Sequence, residues 1–218
     1  MMKEECKECE EIHRQGLQSQ PPKLTSAGKT VLAVGAGAAA LIYGLTVPFL
    51  LPGFRKICLP FVPATEQQIT NVIRCLRGRS GSIVDLGSGD GRILFSIMKQ
   101  NVSKDSSLNI STADGVELNS WLVWYSKFTK WRLRNVIPRQ SMNFYKRDIF
   151  KTDLRHYDNI VVFGVESLMV ELEQKFKTEL KNDGLIIACR FPLPNWKPVM
   201  EKGEGIDKVW SYDIFSSK

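Results

Sequence analysis

The sequence predicts an α/β fold, a mostly parallel sheet covered on both faces by helices, with one apolar helix ahead of it. Three observations predict it. From Thr65 onward, short apolar runs alternate with stretches of helical period. At Ile83–Arg92 an apolar run passes through Gly87, Gly89 and Gly91 into the next helical stretch. Upstream, Val31–Leu51 contains no charged residue.

The elements follow in order. Thr65-Glu-Gln-Gln68 is a capping box, and Ile69, Val72, Ile73 and Leu76 continue it with helical period to about Gly78. Ser82–Leu86 is the first strand and Arg92–Lys99 opens the first crossover helix. Ile110–Glu117 is the second strand. A helix crowded with aromatic residues runs from Asn119 to about Val136. Trp124, Tyr125, Phe128 and Trp131 recur on it at helical spacing, which predicts core packing. Met142–Lys146 and Asn159–Gly164 are the third and fourth strands, with the amphipathic helix Leu168–Leu180 after them. Leu185–Arg190 is the fifth strand. Ile206–Phe215 alternates like a strand and is expected to pair with the stretch Lys197–Glu201.

Three segments are expected: a polar tail over 1–28, a membrane anchor over 29–52 and one globular domain over 53–218. The charge-free run is long enough to cross a hydrocarbon layer of about 30 Å as a helix. The alternative is a buried helix. Ala36, Ala40 and Gly44 lie four apart on one face, and Pro48 is expected to kink or finish the helix. Acids dominate before the run, whereas Arg55 and Lys56 follow it. The positive-inside tendency therefore puts the following domain on the cytoplasmic or matrix side. The tail is too acidic for an ordinary cleavable mitochondrial presequence, so any such signal is expected in the span and its basic flank.

The chain carries a net charge of +7. A basic body suits an anionic membrane surface, and no nucleic-acid motif accompanies it, so nucleic acid is not an expected partner. Cys58, Cys75 and Cys189 sit in apolar settings and read as buried reduced thiols. Cys6 and Cys9, with His13 nearby, lack a fourth ligand, and no metal is expected.

The chemistry begins at the glycine turn. Asp85 ends the first strand, and Gly87, Ser88, Gly89 and Gly91 let the backbone turn sharply and approach a ligand closely. The free N–H groups of the following helix suit a carboxylate. A dinucleotide site would need a small residue at the position of Arg92. Glu117 ends the second strand and can accept both hydroxyls of a ribose. It lies 26 residues past Gly91, against about 20 in the dinucleotide pattern, and the polar stretch Asn101–Asn109 accounts for the excess. Asp148, after the third strand, can accept from an adenine amino group. The alternative for each acid is a solvated carboxylate, but three closing successive strands point together to S-adenosylmethionine. Asn119 and Trp121 stand beside the expected adenosine. Parallel strands bring these acids to one edge of the sheet, with whatever follows Phe163 and Arg190.

With those residues in view, the chain resembles the mitochondrial membrane-anchored lysine methyltransferases of the seven-β-strand class. That family includes the enzyme acting on the c-subunit of ATP synthase and its sister acting on the adenine nucleotide translocase. The resemblance spans nearly all of Phe54–Ile214. It rests on Cys58–Thr65, VDLGSGDGRI (Val84–Ile93), ELNSWLVWYS (Glu117–Ser126), Phe163–Val165, ACRFPLPNW (Ala188–Trp196) and Gly203–Asp213. Ser120 stands where the family usually has proline. The Leu59–Thr65 and Phe163–Val165 segments look closer to the ATP synthase enzyme than to its sister.

The resemblance implies a Rossmann-like seven-stranded class I methyltransferase fold and S-adenosylmethionine as cofactor. It also implies a lysine of a mitochondrial inner-membrane protein as substrate, the ATP synthase c-subunit favoured, with the catalytic domain on the matrix side. Glu166, just past the fourth strand, is then the candidate proton acceptor, with a surface role as the alternative. Phe191 and Trp196 are candidates to frame the lysine stem, with core packing as the alternative. Pro60–Thr65 is placed to fold over the methionine end of the cofactor. Two other readings are a small-molecule methyltransferase acting on a quinone or lipid, and a non-catalytic module that binds the cofactor.

Overall fold

The computed structural model describes residues 25–50, 61–103, 107–138 and 141–214. Cys6, Cys9, His13, Arg55, Lys56, Cys58 and Pro60 lie outside them, as does the middle of the Asn101–Asn109 loop. The chain divides into two compact units, Met1–Val47 and Pro48–Lys218.

The first unit holds most of helix α1 (Ser26–Leu50). Thr25 opens it: the Gly28 N–H donates to the Thr25 hydroxyl at 3.2 Å. The hydroxyls of Thr30 and Thr46 donate back to the carbonyls of Ser26 and Ile42. The two threonine hydroxyls are thus satisfied within the helix itself. Ser26–Gly44 is apolar and long enough to cross a membrane, and none of it is buried. The helix runs two residues past Pro48 to Leu50; the missing proline N–H removes one hydrogen bond without ending it there.

The second unit is a seven-stranded sheet. Its elements are α2 (Glu66–Cys75), β1 (Ser80–Leu86), α3 (Arg92–Asn101), β2 (Asn109–Glu117), α4 (Ser120–Arg132), β3 (Met142–Lys146), β4 (Asn159–Phe163), α5 (Glu166–Glu179), β5 (Leu185–Cys189), β6 (Met200–Lys202) and β7 (Val209–Asp213). The strand order is β3-β2-β1-β4-β5-β7-β6. The first five strands are parallel, and β7 pairs antiparallel with both β5 and β6. The expected pairing of the last strand with the stretch before it is therefore present.

Strand alternation builds two cores. Ile83, Ala113, Val161 and Ile187 face one side, under Val72 of α2, its C-cap Leu76, Leu94 and Ile97 of α3 and Val123 of α4. Val84, Val116, Val162 and Ile186 face the other, under Met169, Leu172 and Phe176 of α5. The period of two puts Asp85 on the Ile83 side. Cys75 and Cys189 are buried free thiols in that core, and burial raises the pKa of both.

Two local expectations change. Only half of the capping box forms: the Gln68 N–H donates to the Thr65 hydroxyl at 3.0 Å. The Gln68 amide reaches instead to the Ile206 carbonyl at 2.9 Å, and Thr65 donates to Asp207. The tertiary contact with the loop before β7 wins over the local one. The aromatic helix also ends earlier, at Arg132. Its aromatic residues are not core: Trp121, Trp124, Tyr125, Phe128 and Trp131 are all exposed. Leu122, Val123 and Ser126 form the buried face of α4 instead.

Candidate active site

The strand order reverses between the parallel neighbours β1 and β4, where a crevice opens beyond the strand ends. Gly87, Gly89 and Gly91 form the turn there, all at positive φ. The N–H groups of Gly87 and Ser88 both donate to the Val116 carbonyl, at 2.9 and 3.0 Å, which fastens the turn to β2. A Cβ on Gly89 would collide with the ring of Phe61, which lies over the backbone. A Cβ on Gly91 would meet the rings of Phe144 and Phe95 within 2.9 Å.

Glu117 holds the same turn from the end of β2. One carboxylate oxygen accepts the Gly89 N–H at 3.1 Å, and the other accepts the Asn119 N–H at 2.8 Å. Asn119 is the N-cap of α4, its side chain accepting from the Trp121 N–H at 3.0 Å. Asp148 caps the 3-10 turn Ile149–Lys151 by accepting the Phe150 N–H at 2.9 Å. These acids and the amide thus build the loops they belong to while facing a shared cavity.

Arg92 makes a two-pronged ion pair with Asp90, at 2.7 Å from Nη2. Its Nη1 donates to the Ala64 carbonyl at 3.0 Å. The bulk that argued against a dinucleotide ties the segment around Phe61–Ala64 to the glycine turn.

Asp85 is wholly buried, and neither carboxylate oxygen has a hydrogen-bond partner; the Ser88 hydroxyl is buried likewise. Burial, then the charges of Glu117 and Asp90, push the Asp85 pKa up to about 8. Buried carboxylate oxygens without donors are costly, and a ligand bringing a cation would remove that cost. The site's chemistry therefore suits a cationic group beside the glycine turn.

The cavity is lined by Gly87, Ser88, Gly89, Glu117, Asn119, Asp148 and Phe191 among the residues singled out from sequence. Asp85 and Gly91 are not in its wall: Asp85 is buried in β1 and Gly91 lies within the turn. Trp121 is also outside the wall, because its position on α4 turns it toward solvent while Leu122 faces the cavity. Glu166 is exposed in the first turn of α5, and Val165 and Leu168 occupy the wall in its place. Trp196 packs in the core, its ring 6.4 Å from that of Tyr212. Phe191 therefore lines the cavity, whereas Trp196 lies in the core.

Phe61, from the segment expected to fold over the cofactor, is in this wall, as are Phe150, Phe163 and Arg190, to which the sequence assigned no individual role. Arg190 has φ 72°, the only non-glycine residue at positive φ among the described residues. Its guanidinium lies 5.5 Å from the ring of Phe163. Its signal was its place at the end of a parallel strand, where ligands bind; side-chain direction there depends on the left-handed backbone, which sequence does not reveal.

The model of the ANTKMT methyltransferase domain matches residues 85–200, beginning at Asp85 itself. The chain belongs to this methyltransferase family. A human protein, named as the lysine N-methyltransferase of the ATP synthase C subunit, is 48% identical over 81% of this chain and 71% of its own length. The mouse protein of the same name is 44% identical over 93% of this chain and 77% of its own. The mouse adenine nucleotide translocase lysine N-methyltransferase is 37% identical over 86% of this chain and 79% of its own. Among solved structures, an RNA methyltransferase from Salinibacter ruber, in complex with S-adenosyl-L-homocysteine, superposes with a TM-score of 0.60. At 19% identity over 70% of this chain and 94% of that one, it shows the shared class I methyltransferase fold.

Proposed function

We propose that this methyltransferase uses S-adenosylmethionine to methylate a lysine of the ATP synthase c-subunit at the mitochondrial inner membrane. One observation carries the cofactor assignment. Asp85, buried without a donor, stands two residues before Gly87, in a glycine turn that shares one cavity with Glu117 and Asp148. The names of the relatives with the higher identities support the substrate. The translocase enzyme, at 37% identity, supports the second reading, a lysine of the adenine nucleotide carrier.

Asp85 and Ser88 would hold the methionine ammonium, directly or through water. The N–H groups at the start of α3 would meet its carboxylate. Glu117 retains lone pairs for the ribose hydroxyls, and Asp148 for the adenine amino group. S-adenosylmethionine, when bound, supplies a methyl group on a sulfonium that an amine can attack.

The rest falls to the chain's own residues. A lysine has a pKa of about 10.4 in water and arrives protonated. The wall from Leu122, Phe150, Phe163, Leu168 and Phe191 disfavours the ammonium and favours the neutral nucleophile. The same wall aligns the stem and excludes water, and such positioning is worth several kcal/mol. Glu166 stands outside this wall, and in this reading the proton leaves to solvent through the cavity mouth.

Helix α1 anchors the enzyme in the membrane, with the catalytic unit on the matrix side. Tethering raises the effective concentration of a membrane-embedded substrate. The test is incubation of the full chain with S-adenosylmethionine and the purified ATP synthase c-subunit, read by intact mass. A gain of whole methyl increments on that protein is expected. Modification of the nucleotide carrier alone would move the substrate to the second reading, and modification of neither would overturn a lysine substrate in these two proteins.

A further inference from the structure

The exposed aromatic face of α4 has no role in the cavity or in either core. Trp121, Trp124, Tyr125, Phe128 and Trp131 fall within about a third of the helix circumference. Trp124 is 61% exposed and Trp131 is 54% exposed. The rings stack on one another along the helix: Trp124 on Phe128 at 5.9 Å and Phe128 on Trp131 at 5.8 Å. Arg134 closes the row, its guanidinium 4.7 Å from the Trp131 ring. A contiguous apolar patch of this kind on a folded unit marks a contact surface.

Its charge says what kind. The sequence between Glu117 and Asp148 contains no acidic residue. Lys127, Arg132 and Arg134 are exposed on or just beyond α4. Tryptophan and tyrosine, with arginine and lysine around them, are the composition of a helix lying in the headgroup region of a bilayer. A single-stranded nucleic acid would need open ring faces for its bases, whereas here neighbouring rings cover one another. The face is also convex, the outer side of one helix, which suits a flat surface.

We infer that the α4 face docks on an anionic bilayer surface, with its rings at the headgroup level and its bases against lipid phosphates. Leu122, on the cavity wall, is one residue from Trp121, so this docking sets the cavity mouth close to the membrane plane. The inference draws on the anchor reading of α1 only for the presence of a membrane, and the experiment separates the two.

The full chain is reconstituted into phosphatidylcholine–phosphatidylglycerol vesicles whose acyl chains are brominated. Three of the five tryptophans, Trp121, Trp124 and Trp131, lie on the face. More than half of the emission should therefore be quenched relative to unbrominated vesicles. The variant K127E/R132E/R134E, which keeps every tryptophan, should lose most of that quenching, with its circular dichroism unchanged as the check on folding. Equal emission in the two vesicle types, or quenching that the charge reversals do not reduce, would overturn the inference. So would tight binding of polyuridylic acid with no lipid quenching, which would make the face a nucleic-acid surface. Resistance of the vesicle-bound chain to alkaline extraction reads the anchor separately, and its loss alone leaves the quenching result standing.

Discussion

The carboxylate of Glu117 accepts the backbone N–H of Gly89 at 3.1 Å, so the acid that closes one strand holds the glycine turn that closes its neighbour. The two residues are far apart in sequence and adjacent only because β1 and β2 run parallel in register, Leu86 beside Val116. The same carboxylate faces the cavity, so the turn and the expected ribose site share one group.

Replacing Glu117 with Ala should therefore do two things. The Gly89 and Asn119 N–H groups lose their acceptor, costing about 1–3 kcal/mol of stability. Binding of S-adenosylhomocysteine, measured by calorimetry, should weaken by more than about ten-fold, or 1.4 kcal/mol. Unchanged binding would remove Glu117 from the cofactor site.

Gly89→Ala should be damaging twice over, because φ is +55° and the ring of Phe61 fills the Cβ position. The left-handed backbone alone costs about 1–2 kcal/mol. Adding Phe61→Ala should relieve the clash and leave the backbone cost. Thermal melts of the single and double variants check this, the double variant melting between the single and the wild type.

Asp85 gives the free enzyme a pH dependence of stated sign. Its folded pKa, raised to about 8, exceeds the unfolded value of about 3.9. Between those values the folded state holds a proton that the unfolded state has lost, so stability falls as pH rises through that window. Asp85→Asn removes the dependence and should raise the melting temperature of the free protein at pH 8, by about 2–4 °C for each kcal/mol relieved in a unit of this size. Saturating S-adenosylhomocysteine should stabilise the wild type far more than this variant. A melting temperature for the variant below that of the wild type at pH 8 would contradict the assignment.

Glu166→Gln should leave the methyl-transfer rate within about two-fold at every pH, since this carboxylate stands outside the cavity wall. General bases are worth about 10²–10⁴-fold. A loss of that size, measured by single-turnover transfer, would return Glu166 to the chemistry.

Arg190→Gly should be tolerated by the fold, because φ 72° suits glycine better than arginine. The melting temperature is expected to hold within about 4 °C. Transfer should slow if the guanidinium over Phe163 shapes the cavity, and the ratio of kcat to KM reads it.

The sequence by itself determined the strand–helix alternation, the glycine turn, the acids at the strand ends and the charge-free helix. Each is a local pattern: period two, period 3.6, or a residue type that only a sharp turn demands. Asp85, Glu117 and Asp148 were legible because parallel strands bring their ends to one edge whatever the details. Tertiary structure alone decided which way α4 turned. Its aromatic spacing fits either face of a helix, and burial of Leu122 and Val123 against the sheet left the larger rings outside. It decided too that Trp196 joined the core against Tyr212 while Phe191 reached the cavity, that Glu166 stood in solvent, and that Arg190 took a left-handed backbone beside Phe163. Those outcomes depend on which surface covers a side chain, and that surface is made by residues distant in the chain.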